Sequence, residues 1–307
     1  MINLIKNEHM KLYAKKSTWI MLVILVVVII GTGIIQKTLF DEDIKYGDDW
    51  KEQLQEETTQ LQKEAEEDGF YNEQIDLNQY YLDHNIKPVS YDGWQFILSY
   101  RNLTALLSLF TIIVAAGIVS TEFNLGTIKL LLIRPATRSK ILLSKYVTFV
   151  IFALELLVLL FVISLLTGSL LYGLHSIDTE IILLKTESFE KVSVLNEIVK
   201  GYGFSFVNLV IMSTFAFMIS TLFRNSGMAI GLSIFLMFAG NTIVGIFAEK
   251  AWAKYILFAN DLEQYLYGEP LVEGITLEFS IVILIVYYIV FLAITWVSFL
   301  KRDVLAN

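Results

Sequence analysis

Six long apolar runs decide what this chain can become: Trp19–Ile35, Phe96–Val119, Ile141–Leu166, Phe204–Leu222, Met228–Phe247 and Leu277–Leu300. A hydrocarbon layer about 30 Å thick takes roughly 20 residues of helix at about 1.5 Å each. The runs are continuous rather than alternating, so they predict transmembrane helices and not barrel strands. With 55% hydrophobic and 18% charged residues among 307, one soluble core could not hide the apolar excess. The fold class expected is an all-α integral membrane protein with six transmembrane helices. A secretory signal competes for the first run, but the run is long for a signal h-region and no A-x-A-like site follows, which favours an uncleaved anchor.

Lys/Arg placement orients the spans. Lys6, Lys11, Lys15 and Lys16 precede the first, Lys129, Arg134, Arg138, Lys140 and Lys145 follow the second, Arg224 follows the fourth, and Lys301 and Arg302 follow the sixth. Threading in order puts all of these on one side, so both termini are expected to be cytoplasmic. The expected layout is a cytoplasmic amphipathic helix over 1–17, then spans over 18–36, 94–120, 141–166, 204–222, 228–247 and 277–300. An acidic extracytoplasmic segment (37–93) and outer loops (167–203 and 248–276) face the other side. A loop (121–140), a turn (223–227) and a tail (301–307) complete the cytoplasmic side.

Residues 2–16 place Ile2, Ile5, His9, Leu12 and Lys16 at helical spacing, as in a helix lying in the interface; a plain extension of the first span is the other reading. Residues 37–92 hold sixteen Asp/Glu against five Lys. Within them, Trp50 to Gly69 is rich in helix formers, with Trp50, Leu54, Leu61 and Ala65 near one face and Glu57 interrupting it. That predicts a solvated helix or helical hairpin capped near Gly69. Its acidity suits a solvated face, or the recruitment of cationic ligands.

Several chemistries have no support. There is no cysteine, His9, His84 and His175 are isolated in sequence, and no G-x-x-x-x-G-K-[ST] or G-x-S-x-G occurs. Thiol chemistry, nucleotide binding through a P-loop and nucleic-acid binding are therefore not expected, nor is any cofactor in this chain. Glu155 is the one ionisable residue well inside an apolar run. It is expected to face protein or a wet cavity, pairing with Arg101 or marking a substrate path. In the fifth run Gly227 and Gly231, then Gly240 beside Asn241, offer a close-approach surface for subunit contact or pathway lining.

The basic loop, "TEFNLGTIKLLLIRPATRSKILLSKY" from Thr121 to Tyr146, is too short in its apolar centre to cross a bilayer. Its polar start and Pro135 bound a short helix, apolar on one side and basic on the other, suited to the membrane surface or to a partner's groove. The order Glu122, Gly126-Thr127, Leu130-Leu131, Pro135, Arg138 and Lys145 resembles the loop pattern of ABC type-2 transporter permeases. That family includes bacterial permeases for bacitracin and lantibiotic self-protection. The opening residues and "NQYYLDHNIKP" are similar to other parts of it.

The resemblance implies a six-span half-transporter of the type V exporter fold, the fold of the ABCG proteins, in a bacterial cell membrane. It also implies a coupling helix in the 121–140 loop that docks a separate ATPase subunit, with ATP and Mg bound by that partner. Glu122, Gly126, Thr127 and Lys129 would lie at or beside the docking helix, and Arg134, Pro135, Arg138 and Lys145 would shape its exit into the third span. A second permease chain, the same or different, would complete the pathway, and a peptide or amphiphile, such as an antimicrobial peptide, would be the cargo. The chain would not itself be an enzyme. A stand-alone secondary transporter or channel, and a membrane sensor or assembly protein with an acidic outer domain, are the alternatives.

Overall fold

The computed structural model describes residues 1–40, 46–69, 72–124, 137–174, 179–185, 188–268 and 270–301. The N-terminal helix α1 (Ile2–Tyr13) turns at Ala14–Lys15 into α2 (Lys16–Ile35), which one π-helical turn prolongs. α3 (Trp50–Asp68) and α4 (Glu73–Asp83) follow. α5 (Gly93–Tyr100) and α6 (Thr104–Asn124) form one transmembrane-length unit around a 3-10 turn, Arg101–Leu103. Then come α7 (Arg138–Tyr172), the antiparallel hairpin β1 (Glu180–Lys185) and β2 (Ser188–Ser193), α8 (Val194–Phe223) and α9 (Ser226–Phe247). Two 3-10 turns, the short α10 (Gln264–Tyr267) and α11 (Leu277–Lys301) end the described chain. Six of these helical units are long and apolar enough to cross a membrane, and the protein is an all-α membrane protein with a small hairpin.

α5–α6 and α8 are the most enclosed spans, and α2, α9 and α11 the least. Lipid tails are as apolar as leucine, so these helices associate by close packing and interhelical hydrogen bonds rather than by escape from water. Ser220 donates to the Ala116 carbonyl across α6 and α8. Tyr146 of α7 bonds Thr214 of α8 at 3.0 Å and Tyr288 of α11 at 2.9 Å, among Phe149, Phe217 and Trp296. Trp296 donates to Ser139 at 2.9 Å, tying α11 to the start of α7.

Several expectations need correction. The loop expected over 167–203 is shorter: α7 continues to Tyr172, and α8 begins at Val194 with the hairpin between them. Glu197 and Lys200 interrupt the hydropathy of α8's first turns, yet Glu197 is buried and Ile198 packs with Val194 and Ile97. The hairpin's strands are short and its pairing is a tertiary outcome. Residues 248–276 are a compact connection rather than an open one. Ala253, Ala259, Val272 and Ile275 form a small core with Val244 of α9, and the fully buried Asn260 donates to the carbonyls of Lys254 and Ile256.

The acidic segment does fold as a helical pair, and Gly69, at φ +71°, ends α3 in the left-handed conformation that glycine adopts without strain. Thr58, not Glu57, continues the buried stripe from Trp50 and Leu54, and Glu57 lies beside it. The β-hairpin shelters this region: Phe189 packs on Tyr80, whose ring stacks on His84.

The far end of the bundle is fastened by a glycine crossing. Asp92 caps α5 by accepting from the N–H groups of Trp94 and Gln95, and Gly93 donates to the Gly173 carbonyl at 2.9 Å. A Cβ on Gly168 would lie 3.0 Å from the Gly93 Cα and 2.9 Å from the Phe96 Cβ. Gly168→Ala should therefore lower thermal stability in detergent by about 1–3 kcal/mol, as overpacking does. Gly203→Ala, where a Cβ meets nothing within 4 Å, should be neutral or stabilising by up to about 1 kcal/mol. Paired thermal melts of the two variants check this.

Candidate functional site

The end of the bundle that holds the N-terminal helix carries the densest polar construction. Glu8 and Lys11 lie one turn apart on α1, Glu122 is near the end of α6, and Lys145 is two turns into α7. Lys11 Nζ donates to Glu8 Oε1 at 2.9 Å and to Glu122 Oε1 at 3.0 Å. Lys145 Nζ donates to Glu8 Oε2 at 2.7 Å and to Glu122 Oε1 at 3.1 Å. The four side chains form a closed ring of alternating charge. Lys145 is 1% exposed and Glu8 6%.

Charges this deep lose their hydration, and only well-placed counter-charges offset that loss. In the ring each carboxylate meets two ammoniums and each ammonium two carboxylates. Burial disfavours the Lys11 ammonium, but its bonds to Glu8 and Glu122 outweigh burial and hold its pKa above the ordinary lysine value. Lys15, at the turn into α2, is pulled the other way, by burial first and then by the Lys145 ammonium.

A second contact set fixes α1. His9 Nε2 lies 2.7 Å from Glu155 Oε1, and the Tyr13 hydroxyl donates to Glu155 Oε2 at 2.5 Å. The Tyr13 ring meets Phe152 edge-on, and burial together with the Glu155 carboxylate raises its phenol pKa. Trp19 and Thr18 of α2 donate back to the Tyr13 and Leu12 carbonyls. These bonds fold α1 away from α2 as a separate helix, so it is not an extension of the first span. The stripe spaced out in the sequence is buried in part: Leu12 is buried and Ile5 and His9 are half-buried, but Ile2 and Lys16 are exposed, and the charged Glu8 is buried beside them.

Glu155 thus serves α1 and is not paired with Arg101. α7 has 35 residues, about 52 Å at the helical rise, well beyond a hydrocarbon core of about 30 Å. Its first turns, which carry Lys145, can therefore stand outside the apolar layer, whereas Glu155 lies midway between Arg138 and Tyr172, where His9 and Tyr13 of α1 supply its polar partners. Arg101 sits at the opposite end of the bundle, where Gly201 leaves room for its guanidinium. There burial raises the pKa of Glu263, opposed by the bond from Ser205 and by Arg101, and burial raises that of Asp261.

Of the residues singled out in the basic loop, Gly126, Thr127, Lys129, Arg134 and Pro135 lie outside the described residues. Glu122 and Lys145 flank that segment on either side and meet in the ring. Arg138 opens α7 one residue after the Thr137 cap. On α9, Gly240 is occupied from within the chain, by the Phe258 ring. Gly231 faces open space and Asn241 is exposed, whereas Gly227 has the Asn225 side chain beside it. Among the described residues no group of three or more His, Asp or Glu could hold a metal. Sequence reasoning missed Glu8 and His9 as site residues; their spacing on α1 beside Lys11 was the available signal.

Residues 68–305 match the family described as "Protein of unknown function (DUF2705)", and the chain belongs to that family. It is 42% identical over 313 residues to the uncharacterized protein YhcI of Bacillus subtilis (strain 168), covering 99% of both chains. It is 38% identical over 212 residues to the uncharacterized membrane protein YdbK of the same organism, covering 67% of this chain and 82% of that one.

Removing one member of a buried ion cluster leaves its partners uncompensated. Lys145→Ala should destabilise the protein by about 3–5 kcal/mol. Adding Glu8→Gln to it should recover part of that loss, and thermal unfolding of the single and double variants in detergent checks both. A carboxyl whose pKa is raised by folding favours the fold most below the ordinary carboxylate range, and that contribution is lost as pH rises through the raised value. Glu263→Gln should therefore raise the melting midpoint more at pH 8 than at pH 4.5, as melts at the two pH values would report.

Proposed function

We propose that this chain is the permease subunit of an ATP-driven ABC exporter in the bacterial cell membrane. In this reading it docks a separate ATPase subunit through the 121–140 loop, and ATP and Mg bind to that partner. A second permease chain pairs with it, and the open Gly231 and exposed Asn241 on α9 suit such a contact. The Lys/Arg distribution supports cytoplasmic termini and a cytoplasmic loop. A peptide or amphiphile is the cargo, an antimicrobial peptide being the first candidate on the resemblance.

The observation that carries the reading is the ring's position. Glu122 and Lys145 enclose the loop between them and bind each other and α1. A push on the loop would then reach α6, α7 and α1 together, which is the mechanical demand on a permease driven from outside. Hydrolysis itself is assigned to the partner.

The test is purification of the tagged full chain from its native membrane in mild detergent. A P-loop ATPase should be recovered in near-equal amount, and Gly126→Trp should lose it while membrane insertion is retained. A clean preparation without an ATPase would overturn the permease reading in favour of a secondary transporter or a sensor. Deleting residues 50–68 should leave ATPase recovery intact; the same purification reads that result.

A further inference from the structure

A cleft of about 630 Å³ opens beside the ring, between α1, the start of α2, the last turns of α6 and the start of α9. Its two ends differ in chemistry. The inner walls are Met21, Ile113, Val114, Ile118 and Ile230, and the rim carries Glu8, Lys11, Glu122 and Lys15. Glu8 and Glu122 are each bonded to both Lys11 and Lys145. Lys15 has no ion-pair partner among the described residues. It is the N-cap of α2, so the positive end of that helix lies at the same rim. With the buried Lys145 behind the rim counted in, the cluster holds three ammoniums against two carboxylates.

Depth adds a second constraint. Ile113 lies two and a half turns deeper along α6 than Glu122, about 13 Å at the helical rise. That is close to one leaflet of a hydrocarbon core about 30 Å thick. An aliphatic cleft one leaflet deep, with an ammonium at its mouth that makes no direct ion pair among the described residues, is complementary to a molecule with an anionic head and a long apolar tail.

We propose that this cleft binds one anionic phospholipid, its phosphate on Lys15 and an acyl chain against Met21, Ile113 and Ile230. A soluble phosphate would use only the rim and leave the apolar walls bare. A neutral lipid would fill the walls and leave Lys15 without a counter-ion. Anionic headgroups attract nearby basic residues by about 1 kcal/mol each, roughly a fivefold change in affinity. The site belongs to this chain alone and does not rest on an ATPase partner. Its position against α1 and Glu122 means that the lipid would brace the face of the ring that opens towards α9.

The test titrates the purified full chain in neutral detergent with phosphatidylglycerol, with phosphatidylcholine of the same chains, or with sodium phosphate at matched ionic strength, and follows the melting midpoint. Phosphatidylglycerol should raise the midpoint saturably, and the other two should leave it nearly unchanged. Lys15→Gln should weaken the phosphatidylglycerol response about fivefold. Gly117→Leu should abolish it, because a Cβ there meets only Thr121 Oγ1, at 3.9 Å, and the larger side chain fills the cleft. Ile230→Phe fills it from the opposite wall and replaces that variant if Gly117→Leu does not fold. Equal responses to the two lipids, or an unchanged response in Lys15→Gln, would overturn the proposal. A full response to phosphate alone would overturn it too, by making the site one for a soluble anion.

Discussion

The terminal half of this protein is organised around one buried ammonium. Lys145 has almost no contact with solvent and binds Glu8 and Glu122 simultaneously. An isolated ammonium at that depth would be strongly unfavourable, so the packing of α7 depends on the carboxylates that α1 and the end of α6 supply. Lys11 then closes the cluster from the other side. An amphipathic helix that could have floated on a membrane surface is instead fixed to two transmembrane helices by ion pairs and to a third set of atoms by His9, Tyr13 and Glu155.

The unequal lengths of the helices follow from the same arrangement. α7 is long enough to span the apolar layer and to project beyond it. Its projecting turns supply Lys145, while Glu155, a residue that would be costly at mid-membrane, meets polar groups of α1. At the other end, α7 reaches the Gly168–Gly93 crossing, where two backbones touch and Phe96 packs over the contact. One helix thus connects the ionic end of the bundle to its tightest apolar contact. Under the permease proposal that is a direct route from the loop after α6 to the far side, and the lipid proposed for the adjoining cleft would act on the same junction.

Much of the fold was legible in the sequence. Six runs of transmembrane length sufficed for the architecture, because a backbone in hydrocarbon has few ways to satisfy its hydrogen bonds. The helical acidic segment was also readable, since Glu, Gln, Lys and Leu up to Gly69 carry strong local preferences. The start of α8 was not, because Glu197 and Lys200 break its hydropathy while tertiary packing buries the first of them. The compact segment after α9 was hidden for a related reason: Asn260 looks like a loop residue until its amide is seen capping two carbonyls.

The candidate site divides in the same way. The sequence by itself determined that Glu122 and Lys145 bracket the basic loop and that Glu155 needed a partner, since unpaired charge in an apolar run is unfavourable wherever it falls. Which groups answer that need was decided only by the tertiary structure. Glu8 and His9 lie more than a hundred residues from Lys145 and Glu155, and no local spacing could relate them; the docking of α1 across α7 does. Hydropathy is a local property and fixes what each segment must be. Charge neutralisation in a buried site depends on distance in space, and that is set only once the helices have packed.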